Sequence, residues 1–267
     1  MEFAGKVALI TGGGGGIGRA SAIGFAGRGA KVVVVDSDST TGEASAELVR
    51  QRGGDARFVR ADVTRSADVQ AYVKATLDAY GAIDCFFNNA GIEGRAAPTQ
   101  DYDEAIFDQV IAVNLKGVFL GMRHVLPVML KQGRGAIVNT ASVAGLVGGP
   151  GMAPYVASKH GVLGLTKVAS SDVARLGIRV NAVCPGPVET RMMRSIEAQR
   201  NPANPQAVHD MTAAHTPTGR YVLPEEVANV VMYLCSEFAG DITGTHIVID
   251  GGRSGSGGAM PAVPRPA

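Results

Sequence analysis

The sequence predicts one doubly wound α/β domain, in which a parallel sheet carries helices on both faces. Short runs of apolar, β-branched residues alternate with longer stretches of helical periodicity along nearly the whole chain. The predicted strands are continuously apolar, which is typical of strands buried on both faces. A run of five glycines, residues 12–16, separates the first strand from the first helix. Because crossovers between parallel strands are right-handed, this order predicts a Rossmann-type fold with a seven-stranded parallel sheet.

The first half of the chain supplies four of the predicted strands. KVALIT (6–11) and KVVVVD (31–36) are predicted as strands because apolar, mostly β-branched residues fill them. Gly53 and Gly54 mark the end of the second helix, since glycine commonly follows a helix C-terminus. The other elements predicted in this half are strands at 56–61 and 82–88 and helices at 17–28, 40–52 and 66–80.

The second half supplies three more strands and one stretch without regular pattern. Helical periodicity covers 103–131, with a break expected near Val113 and Asn114 and an end at Gly133. Residues 186–222 are predicted to be irregular. Because this stretch is long for a connection inside a compact domain, we expect it to form a lid. The remaining predictions are strands at 135–140, 178–183 and 245–249 and helices at 153–176 and 224–236.

Composition is consistent with a single folded domain. Apolar residues make up 46% of the 267 residues, which excludes a disordered polar chain. Residues 1–253 form the predicted domain, with the lid at about 186–222. Residues 254–267 are rich in glycine, proline and alanine and form a predicted tail that cannot build a core by itself.

Charge and cysteine content exclude several classes of function. The chain has 25 basic and 24 acidic residues without a basic block, which argues against nucleic acid as a partner. The N-terminus lacks the regions of a signal peptide, and no apolar run approaches the roughly 18 residues of a membrane-spanning helix. Cys85, Cys184 and Cys235 are far apart and form no Cys-x-x-Cys pair, which argues against disulfides and a zinc site. We therefore expect reduced core cysteines, no metal, no membrane partner and a cytoplasmic location.

The glycine run indicates a dinucleotide site. Glycines allow the backbone to approach a pyrophosphate, and the following helix N-terminus supplies free N–H groups. Two registers fit, either Gly13-x-Gly15-x-x-Gly18 or a Thr-Gly pair followed by Gly16-x-Gly18. Asp36 ends the second strand, where a carboxylate accepts hydrogen bonds from ribose hydroxyls and repels a 2′-phosphate. Asp36 therefore predicts NAD in preference to NADP.

A second group of residues indicates proton transfer. Tyr155 and Lys159 are four residues apart on a predicted helix, so they share one face. A free tyrosine has a pKa near ~10, too high for a base at neutral pH. A nearby ammonium and an oxidised nicotinamide both favour the phenolate, so we expect the pKa of Tyr155 to be lowered. Ser142 follows the strand at 135–140, where its hydroxyl can bond the same substrate oxygen.

Further motifs accompany these residues in a fixed order. They are TGGGGGIG (11–18), Asp62-Val63, NNAG (88–91), Asn114, Ser142, the Tyr155/Lys159 pair, Asn181 and PGPVET (185–190). In order and spacing this set resembles the short-chain dehydrogenase/reductase family over about residues 5–252. The set of NNAG, serine, tyrosine and lysine is specific to that family, whereas the glycine motif alone is not.

The resemblance implies which residues contact the cofactor, NAD. It favours the second glycine register for the pyrophosphate turn and places Asp62 and Val63 beside the adenine. Residues 89–91 would form the floor below the nicotinamide ribose, and residues of 185–190 would support the carboxamide. The implied cofactor residues are Gly12, Gly16, Ile17, Gly18, Asp36, Asp62, Val63, Asn89, Ala90, Gly91, Tyr155, Lys159, Pro185, Gly186, Val188 and Thr190.

The resemblance also implies the catalytic roles. Tyr155 would be the general acid/base for hydride transfer between the nicotinamide and a secondary alcohol or ketone. Ser142 would orient the carbonyl. Lys159 would hold the ribose hydroxyls and lower the pKa of Tyr155. Asn114 would break its helix and hold a water that links Lys159 to solvent.

The substrate residues are predicted more coarsely. NNAGIEG (88–94) and RNPANP (200–205) are similar to family members that act on cyclic alcohols, of the levodione reductase type. We expect a medium-sized, mostly apolar or cyclic alcohol or ketone, while 3-oxoacyl carrier-protein reductases and sugar dehydrogenases stay open. Methionines supply adaptable apolar surface in such pockets. The predicted pocket residues are Glu93, Ser142, Met152, Tyr155, Met192, Met193 and Ile196.

Two further expectations concern the class of protein and its assembly. A nucleotide-sensing regulator would keep the cofactor loop but would need none of the four catalytic residues. The resemblance also implies a homotetramer packed through the helices at about 103–131 and 153–176. Small and apolar residues along the second of these helices give weak support for that assembly.

Overall fold

A seven-stranded, all-parallel sheet forms the centre of the protein. The computed structural model describes residues 2–255. Its strands lie in the order β3-β2-β1-β4-β5-β6-β7, and every neighbouring pair is parallel. This confirms the predicted Rossmann-type fold. The strands are β1 (Val7–Thr11), β2 (Lys31–Asp36), β3 (Asp55–Arg60), β4 (Cys85–Asn88), β5 (Gly135–Thr140), β6 (Ile178–Pro185) and β7 (His246–Ile249).

Helices cover both faces of the sheet. On one face a core cluster joins Tyr72, Val125 and Val162, and on the other a second cluster joins Phe25 and Met232. The sheet is therefore buried on both sides, which explains the continuous apolar strands. The α-helices are α1 (Gly16–Ala26), α2 (Ser39–Gln51), α3 (Ser66–Tyr80), α4 (Glu104–Ile111), α5 (Gly117–Gln132), α6 (Ala153–Val173), α7 (Arg191–Arg200), α8 (Pro205–Ala214) and α9 (Pro224–Cys235).

The prediction of an irregular stretch at 186–222 is wrong, because α7 and α8 lie within it. Both helices carry ordinary start signals. The Thr190 side chain caps α7, and the Asn204 side chain caps α8 by accepting from the Ala207 N–H at 3.1 Å. Pro205 occupies the first turn of α8, where proline is favoured. Both helices are only ten residues long, and α7 is mostly polar, which hid them, although their caps are visible in the sequence.

The helix predicted at 103–131 does change its winding where a break was expected. A π-helical turn, Ala112–Lys116, joins α4 to α5 without interrupting the helix. Asn114 lies in this turn and is fully buried. The helix ends at Gly133, which adopts a left-handed φ of 67°. A π turn of this kind often marks a functional position.

This continuous helix also corrects the statement that no apolar run approaches a spanning length. Among residues 2–255, the segment Glu104–Gln132 is 29 residues long, and its most apolar window has a mean hydropathy of 1.4. Length and composition alone would therefore allow a membrane span. A core helix of a soluble protein passes the same test, and this helix packs against α3, α6 and the sheet.

The cysteines are free thiols, as expected. Cys85 and Cys184 are buried in the sheet, and Cys235 is partly buried at the end of α9. Within the described range, no group of three His, Cys, Asp or Glu side chains could hold a metal ion. Most of the predicted tail, residues 256–267, lies outside the described residues.

Candidate active site

The glycine turn lies at the carboxyl edge of the sheet, between β1 and α1. Gly12 and Gly16 have positive φ values of 63° and 49°, and a Cβ on Gly18 would lie 2.1 Å from the Gly12 carbonyl oxygen. These are the glycines of the second register. Helix α1 begins after Gly15, with no side-chain cap and no acidic residue in its first turn. Its free N–H groups therefore suit a pyrophosphate.

Asp36 lies beside this turn, at the end of β2. Its carboxylate accepts a hydrogen bond from the Gly14 N–H at 2.8 Å and another from the Asp38 N–H at 3.1 Å. Arg19, which the sequence analysis did not select, donates to the Gly14 carbonyl at 2.6 Å and to Ser45 Oγ at 2.8 Å. A single arginine on a helix carries no sequence signal for this role. Together these contacts fix the glycine turn against β2 and α2.

The two residues predicted at the adenine follow the end of β3. The Asp62 carboxylate accepts from the Thr64 N–H at 2.9 Å, and Val63 packs against Gly117. A surface cleft of ≈ 450 Å³ is lined by Asp62 together with Ser37 and Arg60. The cleft leaves room for a planar group next to Asp62.

Residues 89–91 are held in place by two threonines. The N–H groups of Asn89 and Ala90 both donate to Thr11 Oγ1, at 2.9 and 3.1 Å. The Thr140 hydroxyl donates to Asn89 Oδ1 at 3.1 Å, so the segment is fixed to β1 and β5. Neither threonine was predicted as a site residue, because a hydroxyl at a strand end shows its partner only in three dimensions.

Next to residues 89–91 lie the three predicted catalytic residues Ser142, Tyr155 and Lys159. Lys159 Nζ lies 5.6 Å from the centre of the Tyr155 ring, so the two share one face of α6 as predicted. Ser142, just after β5, is 8% exposed, and its side chain lies close enough to the Tyr155 phenol to oppose the rise of the Tyr155 pKa. Lys159 is only 2% exposed and donates to the Thr140 carbonyl at 2.7 Å. The sheet edge thus brings together a hydroxyl, a phenol and a buried amine.

Asn114 lies next to these three residues and holds the segment after Gly91. Its side chain donates to the Ile92 carbonyl at 2.9 Å and accepts from the Ile92 N–H at 2.8 Å. A Cβ on Gly91 would lie 3.3 Å from Asn114 Oδ1 and 3.6 Å from Lys159 Nζ. The π turn therefore places Asn114 close to Lys159 and anchors the segment after Gly91. The water relay assigned to Asn114 stays a prediction.

The expected lowering of the Tyr155 pKa is not a property of the protein alone. Burial raises the pKa of Tyr155, the hydrogen bond from Ser142 opposes this, and the Glu93 charge adds to the rise. Burial outweighs the opposing contribution of Ser142, so the buried phenol holds its proton more strongly than a free tyrosine does. Burial also lowers the pKa of Lys159 to about 8.

This burial predicts how stability depends on pH. Because the folded pKa of Lys159 is about 8 against an ordinary 10.5, the unfolded chain binds more protons between these values. Stability contributed at this site therefore rises with pH in that window. Relative to Lys159→Met, the wild type should gain about 2 kcal/mol of unfolding free energy from pH ~8 to pH ~10. Denaturant unfolding of both proteins measures this, and a difference independent of pH would contradict it.

The remaining predicted pocket residues belong to the stretch after β4, the position before α6 and the start of α7. The Glu93 charge acts on Tyr155, and Met152 immediately precedes α6. Met192 and Met193 are partly buried at the start of α7, whereas Ile196 is 9% exposed and packs inward. The structure also shows a contact that no sequence motif predicted. The Gln199 side chain accepts from the Ala96 N–H at 2.9 Å and donates to the Gly94 carbonyl at 3.3 Å.

The segment predicted to support the carboxamide connects β6 to the lid. Pro185 ends β6, and Gly186 packs against Asp250. Val188 forms a bridge to Val222, which closes the base of the lid. Thr190 lies against Gly16, whose Cβ would be 3.0 Å from Thr190 Cγ2. This segment and the glycine turn are therefore in direct contact.

The fold and this constellation define an oxidoreductase of the Rossmann type. A family model described as enoyl-(acyl carrier protein) reductase matches residues 13–254. Levodione reductase of Leifsonia aquatica is 45% identical over 255 residues, covering 95% of this chain and 96% of the relative. Cyclohexanol dehydrogenase of an Acinetobacter species is 40% identical, covering 94% and 95%. The chain belongs to the short-chain dehydrogenase/reductase family, whose members use nicotinamide cofactors.

Levodione reductase is also among the solved structures that this chain resembles in fold. The crystal structure of levodione reductase superposes with a TM-score of 0.94 at 44% identity, covering 96% of this chain and all of that one. NAD⁺-bound xylitol dehydrogenase gives a TM-score of 0.88 at 36% identity, covering 93% and 99%. The predicted family and its similarity to the levodione reductase type are confirmed.

Proposed function

We propose that this protein is an NAD-dependent dehydrogenase that interconverts a cyclic or mostly apolar secondary alcohol and its ketone. The observation that carries the proposal is the meeting of Ser142, Tyr155 and Lys159 beside the fixed segment 89–91. A nucleotide sensor has no use for this set. The names of the relatives support the substrate class, since levodione reductase and cyclohexanol dehydrogenase both refer to ring compounds.

The residues supply the proton chemistry. NAD, when bound, accepts or returns the hydride. Tyr155 takes the hydroxyl proton of the alcohol on its phenolic oxygen, or returns it to the ketone oxygen. Ser142 orients that oxygen through its hydroxyl. The Lys159 ammonium, whose Nζ lies 5.6 Å from the centre of the Tyr155 ring, favours the phenolate over the neutral phenol.

Asp36 supports NAD as the cofactor. Its carboxylate receives the Gly14 N–H, so it is fixed where the adenosine ribose would lie. Asp36→Asn removes the charge but keeps an acceptor for Gly14. We expect the ratio of kcat/KM for NADP over NAD to rise at least about tenfold, because repulsion of the 2′-phosphate is lost.

The matched control is Asp38→Asn, two residues away, where the carboxylate caps α2 instead. This variant should keep the wild-type cofactor ratio. Steady-state rates with both cofactors measure the effect, and an unchanged ratio in Asp36→Asn would count against NAD selection by this residue.

The experiment that tests the function is an absorbance screen for reduced nicotinamide. The substrates are cyclohexanol, a substituted cyclohexanol, a linear secondary alcohol, a sugar alcohol and a 3-hydroxyacyl thioester, each with NAD and with NADP. We expect the highest kcat/KM for a cyclic alcohol with NAD. Preference for the thioester or the sugar alcohol would favour the two alternative substrate classes, and NAD binding without any turnover would favour a sensor.

We also propose a homotetramer, on the evidence of exposed apolar side chains along the long helices. Phe107, Phe119 and Leu130 on α4 and α5 are 39–43% exposed, and Val168 on α6 is 61% exposed. Aromatic groups on adjoining helices are typical of an interface core.

The free thiols fit a reducing compartment such as the cytoplasm.

A further inference from the structure

The lid, residues 186–222, is held together by a cluster of side chains around His209. His209 Nε2 donates to Glu189 Oε1 at 2.9 Å, which ties α8 to the segment before α7. The His209 ring also stacks against Tyr221, with 4.3 Å between ring centres. Tyr221 Oη donates in turn to Glu197 Oε1 on α7 at 2.7 Å. One imidazole therefore connects the beginning, the helices and the end of the lid.

The side chains of this cluster are largely buried and are connected to the backbone contacts of the lid. Glu197 is 5% exposed and Tyr221 is 2% exposed, so their hydrogen bond lies inside the fold. Glu189 stands between Val188 and Thr190, the two lid residues predicted to face the cofactor. Its N–H donates to the Val222 carbonyl at 2.9 Å, beside the Val188–Val222 bridge. The His209–Glu189 contact is thus the side-chain partner of the backbone bridge that closes the lid.

We propose that His209 is a positioning residue that clamps the lid in its closed form, with α7 over the substrate site. The inference rests on the proposed function only in assigning the substrate to the space below α7. That helix carries Met192 and Met193, and its Gln199 already contacts the segment 94–96. Release of the clamp would let α7 move away while Ser142, Tyr155 and Lys159 stay in place, since none of the three belongs to the lid.

The charges around His209 come from each element packed against it. The segment before α7 contributes Glu189, α7 contributes Glu197, and α8 contributes Asp210, whose Oδ1 lies 3.4 Å from His209 Nδ1. The return segment contributes the Tyr221 hydroxyl, and Arg253 of the C-terminal segment reaches α8 at the Thr212 carbonyl. Carboxylates face both ring nitrogens, so both can donate when the ring is protonated.

The clamp should weaken as pH rises. The hydrogen bond to Glu189 raises the pKa of His209 above its ordinary 6.5, with burial opposing and Asp210 assisting. A raised folded pKa means that the stabilisation is complete below pH 6.5 and is lost as pH rises through the folded value. Above that value, the ion pair becomes a neutral hydrogen bond and Asp210 loses its charged partner.

The test compares His209→Gln with His215→Gln in the full chain. His215 lies at the end of the same helix but is exposed, and its Nδ1 donates to the Met211 carbonyl of its own helix. Hydrogen exchange of peptides from 191–214 is measured without substrate at pH ~6 and pH ~9. At the lower pH we expect exchange about two- to fivefold faster in His209→Gln than in the wild type, as for an ion pair that is partly exposed. At the higher pH the difference between these two proteins should shrink, since only the neutral hydrogen bond and the ring contact with Tyr221 remain, and His215→Gln should match the wild type throughout.

Steady-state kinetics provide the second measurement. With the cyclic alcohol, the ratio of the His209→Gln KM to the wild-type KM should exceed one at pH ~6 and fall towards one at pH ~9, with similar kcat in both. Equal lid exchange in His209→Gln and the wild type at the lower pH would overturn the clamp. The same acceleration in His215→Gln would overturn it as well. Because the exchange measurement needs no turnover, failure of the proposed dehydrogenase activity would leave its result readable.

Discussion

Tyr155→Phe should reduce kcat by about 10²- to 10⁴-fold, the range that a positioned general acid/base supplies, while NAD still binds. The substitution removes only the phenolic oxygen. That oxygen is the one atom of Tyr155 that can exchange a proton with the substrate. The ring, its packing and its distance from Lys159 all remain. The loss should therefore appear in turnover and not in cofactor affinity.

The matched control for this substitution is Tyr233→Phe on α9. Tyr233 packs at the edge of the core cluster on the other face of the sheet, away from the site. It should retain wild-type turnover. Rates follow from the absorbance of reduced nicotinamide, and NAD affinity follows from calorimetric titration. Turnover of Tyr155→Phe within a few-fold of the wild type would remove Tyr155 from the proton transfer.

Gly18→Ala should weaken NAD binding by about 100-fold or more. A Cβ at this position would lie 2.1 Å from the Gly12 carbonyl oxygen and 2.9 Å from the Gly13 Cα. Both neighbours are backbone atoms, so the added methyl group must displace the turn itself. Displacement of two charge-assisted hydrogen bonds to a phosphate, worth roughly 1.5–3 kcal/mol each, gives the expected loss.

Gly15→Ala is the control from the same glycine run. Gly15 has an extended φ of −165°, and a Cβ there would meet no atom within 4 Å. This variant should bind NAD much more tightly than Gly18→Ala does. Titration of both variants with NAD separates the two positions. Equal affinities for Gly18→Ala and the wild type would show that the turn does not hold the pyrophosphate.

The sequence predicted the fold because its signals are local. Apolar strands such as KVVVVD and helix-ending glycines such as Gly133 act over a few residues, and the strand order follows from right-handed crossovers. The two lid helices were missed for the opposite reason. Each is only ten residues long and α7 is mostly polar, so the caps at Thr190 and Asn204 are their clearest sequence signals.

The sequence predicted which residues form the site but not the residues that hold them in place. Spacing alone placed Tyr155 and Lys159 on one helix face. The Thr140 carbonyl accepts a hydrogen bond from Lys159, and the Thr140 hydroxyl donates to Asn89. These contacts depend on the pairing of β4 with β5, so no sequence motif marks Thr140. Burial raises the pKa of Tyr155 in the protein alone, and this effect cannot be read from helical spacing. Side-chain environment, unlike strand order, is decided by contacts between distant segments.

Isotope transfer from a labelled alcohol tests the central claim most directly. Cyclohexanol carrying deuterium on its carbinol carbon is incubated with the protein and NAD, and the reduced nicotinamide is analysed by mass spectrometry and NMR. A dehydrogenase of this kind must deliver the deuterium to nicotinamide C4, on a single face, while the hydroxyl proton leaves through Tyr155. We expect stoichiometric label at C4 with the wild type and strongly reduced label with Tyr155→Phe. Tight NAD binding with no label at C4 from any cyclic, linear, sugar or thioester alcohol would contradict the assignment and leave a nucleotide sensor in its place.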